Sequence, residues 1–324
     1  MNTSMKEALA TLEIKSARAL GEARQELLRS KVENRKFRQA LEYYSRNWDD
    51  TLHPGMIALA CEAIGGSEQD SLLMQVPMLF LTAAIDIHDD IIDNSRVKNG
   101  KYTVFGKFGK ELALLAGDGM LLRGMTICNM CRNRIPPETM DAIVSTIEIA
   151  FTEAGDAHTL ETIFNQRMNP NPERYFGILK KKASILEAHA RIGGIVGRGT
   201  ASQIESLGEY GRIVGMLITL RDEFIDIFDV QELTDRIRSG CLPLPLMYAF
   251  RNLAEKQRIS EILSKPKISE RDAEVVFDVV SRNKKVKSLR RKMKLLSDRA
   301  LHVVSGFRVK QPLECLAVAA LEDI

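Results

Sequence analysis

The chain has 324 residues, is 45% hydrophobic and carries a formal net charge of +3. That length can bury one large core or two domains at most, and so small a charge argues against a nucleic-acid partner. Five cysteines, an odd number without compact spacing or a signal-peptide pattern, predict a reducing cytoplasm rather than a disulfide framework.

Helical periodicity dominates from the first residues onward. Residues 2–44 read as one or two charged amphipathic helices at the periphery. His53-Pro54 opens the next helix, with Pro54 in its first turn, and Gly65-Gly66 closes it. A long apolar helix follows over about 72–93. Its most apolar part, 72–85, is shorter than a bilayer requires and contains Gln75 and Pro77, which predicts a buried core helix rather than a membrane span. Residues 94–102 form a polar, basic loop. Further helices are expected over 110–130, 137–166, 171–190, 202–229 and 244–252, with two or three more beyond, Pro266 and Pro312 lying near their starts or breaks. Cys128 and Cys131 form one CxxC pair with no second pair to complete a zinc site. They follow an apolar stripe of Leu121, Leu122 and Met125, so buried structural thiols are expected. Gly193, Gly194, Gly197, Gly211 and Gly215 mark close approach of buried helices. The basic run 282–294 interleaves Val286, Leu289 and Met293 at helical spacing. A solvated helix face fits it better than the alternative, weak contact with an anionic membrane surface. No repeat, linker or domain boundary is visible. The fold class is therefore all-α: one large helical bundle around a central cavity, with 1–47 peripheral, about 54–250 as the core and 251–324 as C-terminal helices.

Two acidic clusters carry the chemistry, Asp89-Asp90-Ile91-Ile92-Asp93 and Asp222-Glu223-Phe224-Ile225-Asp226. In each, the outer aspartates are four residues apart and share one helix face. Each follows an apolar run, 79–85 and 213–220, and acids at the end of a core helix are costly without a compensating cation or donor. Carboxylates facing one another suit magnesium, which commonly shares its octahedral shell with substrate phosphates. A di-iron centre would want Glu-x-x-His on two helices, a motif this sequence lacks. His88 points about 100° away from Asp89 around the helix, which gives it a core or supporting role. The rival reading, acids that cap helix ends or decorate a solvent face, suits one cluster better than two of equal spacing.

These residues resemble the trans-polyprenyl diphosphate synthase family of the class I isoprenoid synthase fold, from about residue 54 to 250. The most specific block is His88-Asp89-Asp90-Ile91-Ile92-Asp93, followed by Gly100, Thr103, Phe108-Gly109 and Ala116-Gly117-Asp118. Arg221-Asp222-Glu223-Phe224-Ile225-Asp226 is similar to the family's second motif, with Glu223 in place of the usual aspartate. Lys182, with Leu186 and Gly193, matches the segment whose lysine grips the allylic diphosphate, although Ala183 replaces its threonine. The resemblance implies Asp89, Asp90, Asp93, Asp222 and Asp226 as ligands of Mg2+, three ions with the bound diphosphate. It implies Asp89, Asp93, Asp222 and Lys182 as catalytic residues and Lys98, Lys182 and Arg96 as diphosphate contacts. Ala84 and Ile85 take the place of the bulky aromatic that commonly closes the family's tail pocket. That implies prenyl tails of fifteen carbons or more, with a floor near Phe80 or Leu81, unless Ala83 and Ala84 serve helix packing alone. A two-fold homodimer is implied as well, for which 112–130 is a spare apolar helix.

The departures fall in one half of the pattern. Where the family carries Gly-Lys-Arg and a further arginine for isopentenyl diphosphate, this chain has Asp49-Asp50-Thr51-Leu52-His53-Pro54. Two acids repel that diphosphate. The paired arginines after the first motif become Lys98-Asn99, the Phe-Gln before the second becomes Ile218-Thr219, and a later lysine falls at Cys241. The expected activity is magnesium-dependent ionisation of an allylic prenyl diphosphate and prenyl transfer to an unknown acceptor other than isopentenyl diphosphate. The alternatives are ordinary chain elongation, a terpene cyclase, which would want glutamate where Val230 stands, and a non-catalytic subunit of a prenyl synthase, which need not keep the aspartates.

Overall fold

A computed structural model describes residues 3–29, 31–98, 100–165, 171–230, 233–234, 236, 242–265 and 268–322. Asn99, Cys241 and Pro266 lie outside them. Among the described residues the elements are α1 (Thr3–Leu28), α2 (Arg35–Asn47), α3 (Leu52–Ala63), α4 (Glu68–Ile92), β1 (Val97–Lys98), β2 (Lys101–Tyr102), α5 (Val104–Phe108), α6 (Lys110–Met130), α7 (Pro137–Asn165), α8 (Pro172–Lys182), α9 (Ser184–Val196), α10 (Ala201–Ile225), α11 (Leu244–Ala249), α12 (Leu253–Leu263), α13 (Glu270–Arg282), α14 (Lys284–Val304) and α15 (Gln311–Ala319). The fold is a helical bundle. α3 packs between α1, α4 and α9, α4 lies along α6, and α10 lies along α9 and α14. α1 is more tightly built in than a peripheral helix need be: Leu12, Ala19 and Ala23 are buried, while Ile14 on its other face is exposed.

Several elements differ from expectation for local reasons. α4 starts four residues earlier than its apolar pattern, because Ser67 and Asp70 form a reciprocal capping box that satisfies two first-turn N–H groups. At 25 residues it is long and apolar enough to cross a bilayer, which corrects the estimate from its apolar run. Yet 67% of its most apolar window is buried in the bundle, as a core helix requires. The loop at 94–102 contains a two-stranded antiparallel ladder, Val97 opposite Tyr102 and Lys98 opposite Lys101, whose tight turn uses Gly100 at φ +72°. The expected helix over 171–190 is two helices, broken at Ala183. There Ser184 Oγ donates to the Ala150 carbonyl of α7 at 3.0 Å, which anchors the break.

The thiols of Cys61, Cys128 and Cys131 are buried, and burial pushes Cys61 up to about 12 and Cys128 to about 11. The stripe beside them is a correction: Leu122 is 69% exposed, and Leu114, Leu115, Leu121 and Met125 are exposed too. These side chains form the outer face of α6, not its core side. In the basic segment Val286, Leu289 and Met293 are buried as predicted. Two of its cations also meet rings: the Nζ of exposed Lys292 sits 3.5 Å above Phe176 and the guanidinium of half-buried Arg290 5.2 Å above Phe224.

The contact between α4 and α6 sets the rotation of the first acidic motif. A Cβ on Gly117 would stand 2.4 Å from His88 Nε2, and one on Gly124 would stand 2.7 Å from Leu81 Cδ2 and 3.0 Å from the Pro77 carbonyl oxygen. Gly117 and Gly124 are two turns apart on one face. They let α6 approach α4 along the side that carries His88, which turns Asp89 away from that interface. Gly119, on the open face, has nothing within 4 Å of the same position. Gly117→Ala is expected to cost about 1–3 kcal/mol through overpacking, whereas Gly119→Ala is neutral or stabilising by up to about 1 kcal/mol. Urea unfolding midpoints of the two variants test this; equal midpoints would mean that His88 does not pin the helix pair.

Candidate active site

Both acidic motifs end their helices: Asp89, Asp90 and Asp93 close α4, and Asp222, Glu223 and Asp226 close α10. Around the first, successive residues point to different partners, as about 100° per residue demands. His88 Nε2 lies 3.3 Å from Asp118 Oδ1 on α6. Asp89 Oδ1 lies 2.9 Å from His158 Nδ1 on α7. Asp90, 6% exposed, faces the loop ladder with Asp86 one turn before it. Lys98 Nζ is 2.7 Å from Asp86 Oδ1 and 3.8 Å from Asp90 Oδ1.

Charge is concentrated here beyond what the protein's own cations neutralise. Burial, with the charges of Asp86 and other neighbours, raises Asp90 to about 7 despite Lys98. Burial and the adjacent Asp89 also raise Asp93. Burial alone would raise Asp89, but the His158 contact and the charges of Lys182 and Lys98 outweigh it and hold this carboxyl below its ordinary value. In the second cluster, crowding by protein atoms and the charge of Asp226 raise Asp222 to about 6. Its side chain stays exposed at the helix end, so the crowding is one-sided. Asp226 is raised by burial, against the pull of Arg236.

The two clusters are joined by a chain of polar contacts that the sequence reading did not find. Lys182, at the end of α8, pairs with Glu161 on α7, and its own pKa is raised by Glu161, Asp89 and Asp93 against the effect of burial. The Tyr175 hydroxyl, two turns earlier on α8, is 3.2 Å from Glu161 Oε1 and 3.1 Å from Glu223 Oε1. Arg236 donates to Glu223 at 2.8 Å and also to Asp226. Glu223 further accepts the Leu244 backbone N–H at 2.6 Å, so this residue caps α11 rather than facing a ligand. The signals were present: His158 and Glu161 share a helix face three residues apart, and Tyr175 shares one with Lys182 at a spacing of seven. They were hidden because each partner lies on another helix.

The remaining predicted residues fall elsewhere. The Arg96 guanidinium lies over the Phe105 ring at 4.8 Å, not on the carboxylates. Ala84 is 2% exposed and packs in the cluster with Trp48, Phe80, Val104 and Phe105, while Ile85 is half-buried. In the acidic segment, Asp50 accepts from His53 at both the ring Nδ1 (2.9 Å) and the backbone N–H (3.2 Å), and Thr82 Oγ1 is 3.3 Å away. Burial opposes the Asp50 charge, but His53 holds the carboxyl below its ordinary value. Asp50 and Asp86 in turn hold the His53 imidazole above its own, also against burial.

Magnesium fits the donor set. The oxygens are carboxylate, they stand at two helix ends, and the raised proton affinity of Asp90, Asp93, Asp222 and Asp226 reflects burial and charge that a cation would relieve. Among the described residues no three acidic, histidine or cysteine side chains gather closely enough to hold a metal by themselves. Magnesium commonly takes one or two carboxylates and fills its shell with water and phosphate, so each cluster need supply only part of a shell.

Residues 34–280 match the Polyprenyl synthetase family. The chain is 25% identical to a short chain isoprenyl diphosphate synthase of Methanothermobacter thermautotrophicus over 64% of its length and 65% of the relative's. It is 28% identical to a geranylgeranyl diphosphate synthase of Methanosarcina mazei over 59% of each. The chain thus spans about six tenths of the length of these relatives. A geranylgeranyl pyrophosphate synthetase structure from Pyrococcus horikoshii superposes with a TM-score of 0.85 at 24% identity, covering 98% of this chain and 99% of that one. One from Geoglobus acetivorans gives 0.83 at 21% identity, covering 96% and 99%. These two likenesses speak for the fold. With the family match extending over most of the chain, this protein belongs to the polyprenyl synthetase family.

Proposed function

We propose that this protein is a magnesium-dependent prenyltransferase that ionises an allylic prenyl diphosphate and transfers the prenyl group to an acceptor other than isopentenyl diphosphate. The observation that carries the reading is the run of contacts from Lys182 through Glu161, Tyr175, Glu223 and Arg236 to Asp226, with the charge of Lys182 acting on Asp89 and Asp93 at its other end. Asp89 and Asp93 on one side and Asp222 and Asp226 on the other would hold the metal. Bound magnesium supplies neutralisation of charge on the departing diphosphate. Lys182 and Lys98 add fixed positive charge at the same place. His158 keeps Asp89 ionised and oriented. The apolar lower half of α4 excludes water from the allylic cation, and the prenyl tail, of fifteen carbons or more, starts past Ile85.

Asp89→Ala or Asp222→Ala is expected to slow diphosphate release from labelled allylic diphosphates by about 10²-fold or more, as loss of a key electrostatic stabiliser does. The assay runs with magnesium and donors of several chain lengths. Release at the parental rate in both variants would remove the clusters from the chemistry.

The acceptor half rests on the Asp50–His53 pair, which offers a carboxylate where a diphosphate would need cations. Relatives named as geranylgeranyl diphosphate synthases make ordinary elongation the competing outcome. Calorimetry is expected to detect no micromolar binding of isopentenyl diphosphate to the parent. Asp50→Lys combined with His53→Arg should strengthen binding about tenfold or more, since it replaces a carboxylate–imidazole pair with two cations. Micromolar affinity in the unaltered protein would return the reading to elongation.

A homodimer completes the reading. Leu114, Leu115, Leu121, Leu122 and Met125 line the exposed side of α6, and a self-complementary apolar face suits a two-fold pair. Light scattering at micromolar concentration should give twice the 36.3 kDa chain mass; a monomer there would count against it.

A further inference from the structure

At the junction of α3, α4 and α9 two imidazoles lie against each other. The His53 and His189 ring centres are 4.8 Å apart and their planes are inclined by 53°. Asp50 engages His53 Nδ1, so the proton on that nitrogen points at a carboxylate and Nε2 is the side left for other partners. His189 is 0% exposed. Its Nδ1 donates to the Ile185 carbonyl at 2.6 Å, and burial, with the neighbouring His53 charge, lowers its pKa to about 3. The ring is therefore neutral with its lone pair on Nε2. That nitrogen is buried and has no hydrogen-bond partner.

An orphaned buried acceptor is destabilising, and an apolar side chain of similar size would avoid the cost. The arrangement makes sense as half of a ligand site. The charged groups acting on His53 are Asp50, from the segment before α3, and Asp86, from α4, while His189 faces it from α9. Both acids favour the protonated ring, whose Nε2–H is a donor. The pair therefore brings a ring with a free donor and a ring with a free acceptor to within 4.8 Å of each other, centre to centre. A hydroxyl group matches both, accepting from His53 and donating to His189. A fully ionised diphosphate has no hydrogen to give His189 and is repelled by Asp50 and Asp86.

We propose that His53 and His189 form a binding site for the hydroxyl group of an uncharged ligand, with Asp50 orienting His53. Its identity as the acceptor pocket rests on the prenyltransferase reading; the binding itself does not. Thr82, which is 3.3 Å from Asp50, begins a line with Asp86 and Asp90 along α4 at four-residue spacing, from this site towards the first acidic cluster. Because the Nε2–H donor is lost when His53 deprotonates, the site should favour the hydroxyl at acidic to neutral pH and weaken as pH rises through the elevated pKa of His53.

The test is nitrogen NMR on protein with labelled histidines, titrated with isopentenol, its methyl ether and isopentenyl diphosphate, three molecules on one carbon skeleton. Isopentenol is expected to move the His189 Nε2 resonance in the direction of an accepted hydrogen bond. It should bind about tenfold more tightly than the ether, the equivalent of one net hydrogen bond. His189→Phe should abolish that preference. If this variant does not fold, the alcohol–ether comparison on the parent still decides. Equal binding of alcohol and ether, or a His189 shift with the diphosphate alone, would overturn the proposal. Alcohol binding in a protein that releases no diphosphate from allylic substrates would leave this site standing and defeat the prenyltransferase reading instead.

Discussion

The close approach of α6 to α4 at Gly117 and Gly124 is the constraint on which the site depends. Without side chains at these two positions, the α6 backbone comes near enough for the His88 ring to lie over Gly117. His88 then fixes which way α4 faces. With about 100° between neighbours, Asp89 must turn to α7 and meet His158, and Asp90 must turn to the loop ladder and meet Lys98. A helix rotated by one residue would bury different acids and present none of these pairs. A second anchor acts on the far side of the site. Arg212 of α10 holds Glu153 of α7 at 2.7 Å and also reaches Glu187 of α9, so α7 is held against α9 and α10. His158 and Glu161 lie one to two turns farther along α7.

Seen this way, the acidic site is a balance rather than a set of vacant ligands. Several cations near the two clusters have taken carboxylates: Lys98 with Asp86, Lys182 with Glu161, Arg236 with Glu223 and Asp226. Burial still raises Asp93, Asp222 and Asp226, helped by the charge of Asp89 on Asp93, of Asp226 on Asp222, and of Glu223 and Asp229 on Asp226. A site of this kind has affinity for added positive charge without holding a rigid metal cage, which suits cations that arrive with a phosphate ligand. Tyr175 belongs to the same balance. One hydroxyl proton serves two carboxylates at similar distance, so it can strengthen its bond to one only by weakening its bond to the other.

The segment before α3 is organised around one carboxylate. An acid at Asp50 does not stand unpaired there; it holds His53, caps the first turn of α3 through the His53 backbone and takes Thr82. The segment is as well ordered by these bonds as one that gripped an anion would be.

Much of this was legible in the residues alone. Apolar periodicity and helix stop signals located most of the bundle, because they are local properties of the chain. The two Asp-x-x-x-Asp spacings identified the acidic faces for the same reason. The partners of those acids were not readable. His158, Glu161, Tyr175, Arg236 and His189 come from segments far apart in sequence, and nothing in local spacing says that α7 and α8 will cross between the ends of α4 and α10. The outward turn of Leu122 and Met125 escaped for a related reason: an apolar stripe records that a helix face avoids water, not what covers it. Composition and period are set within a few turns of chain, whereas which charge meets which is decided only when the helices pack, because glycine gaps and interhelical ion pairs choose the rotation of each helix.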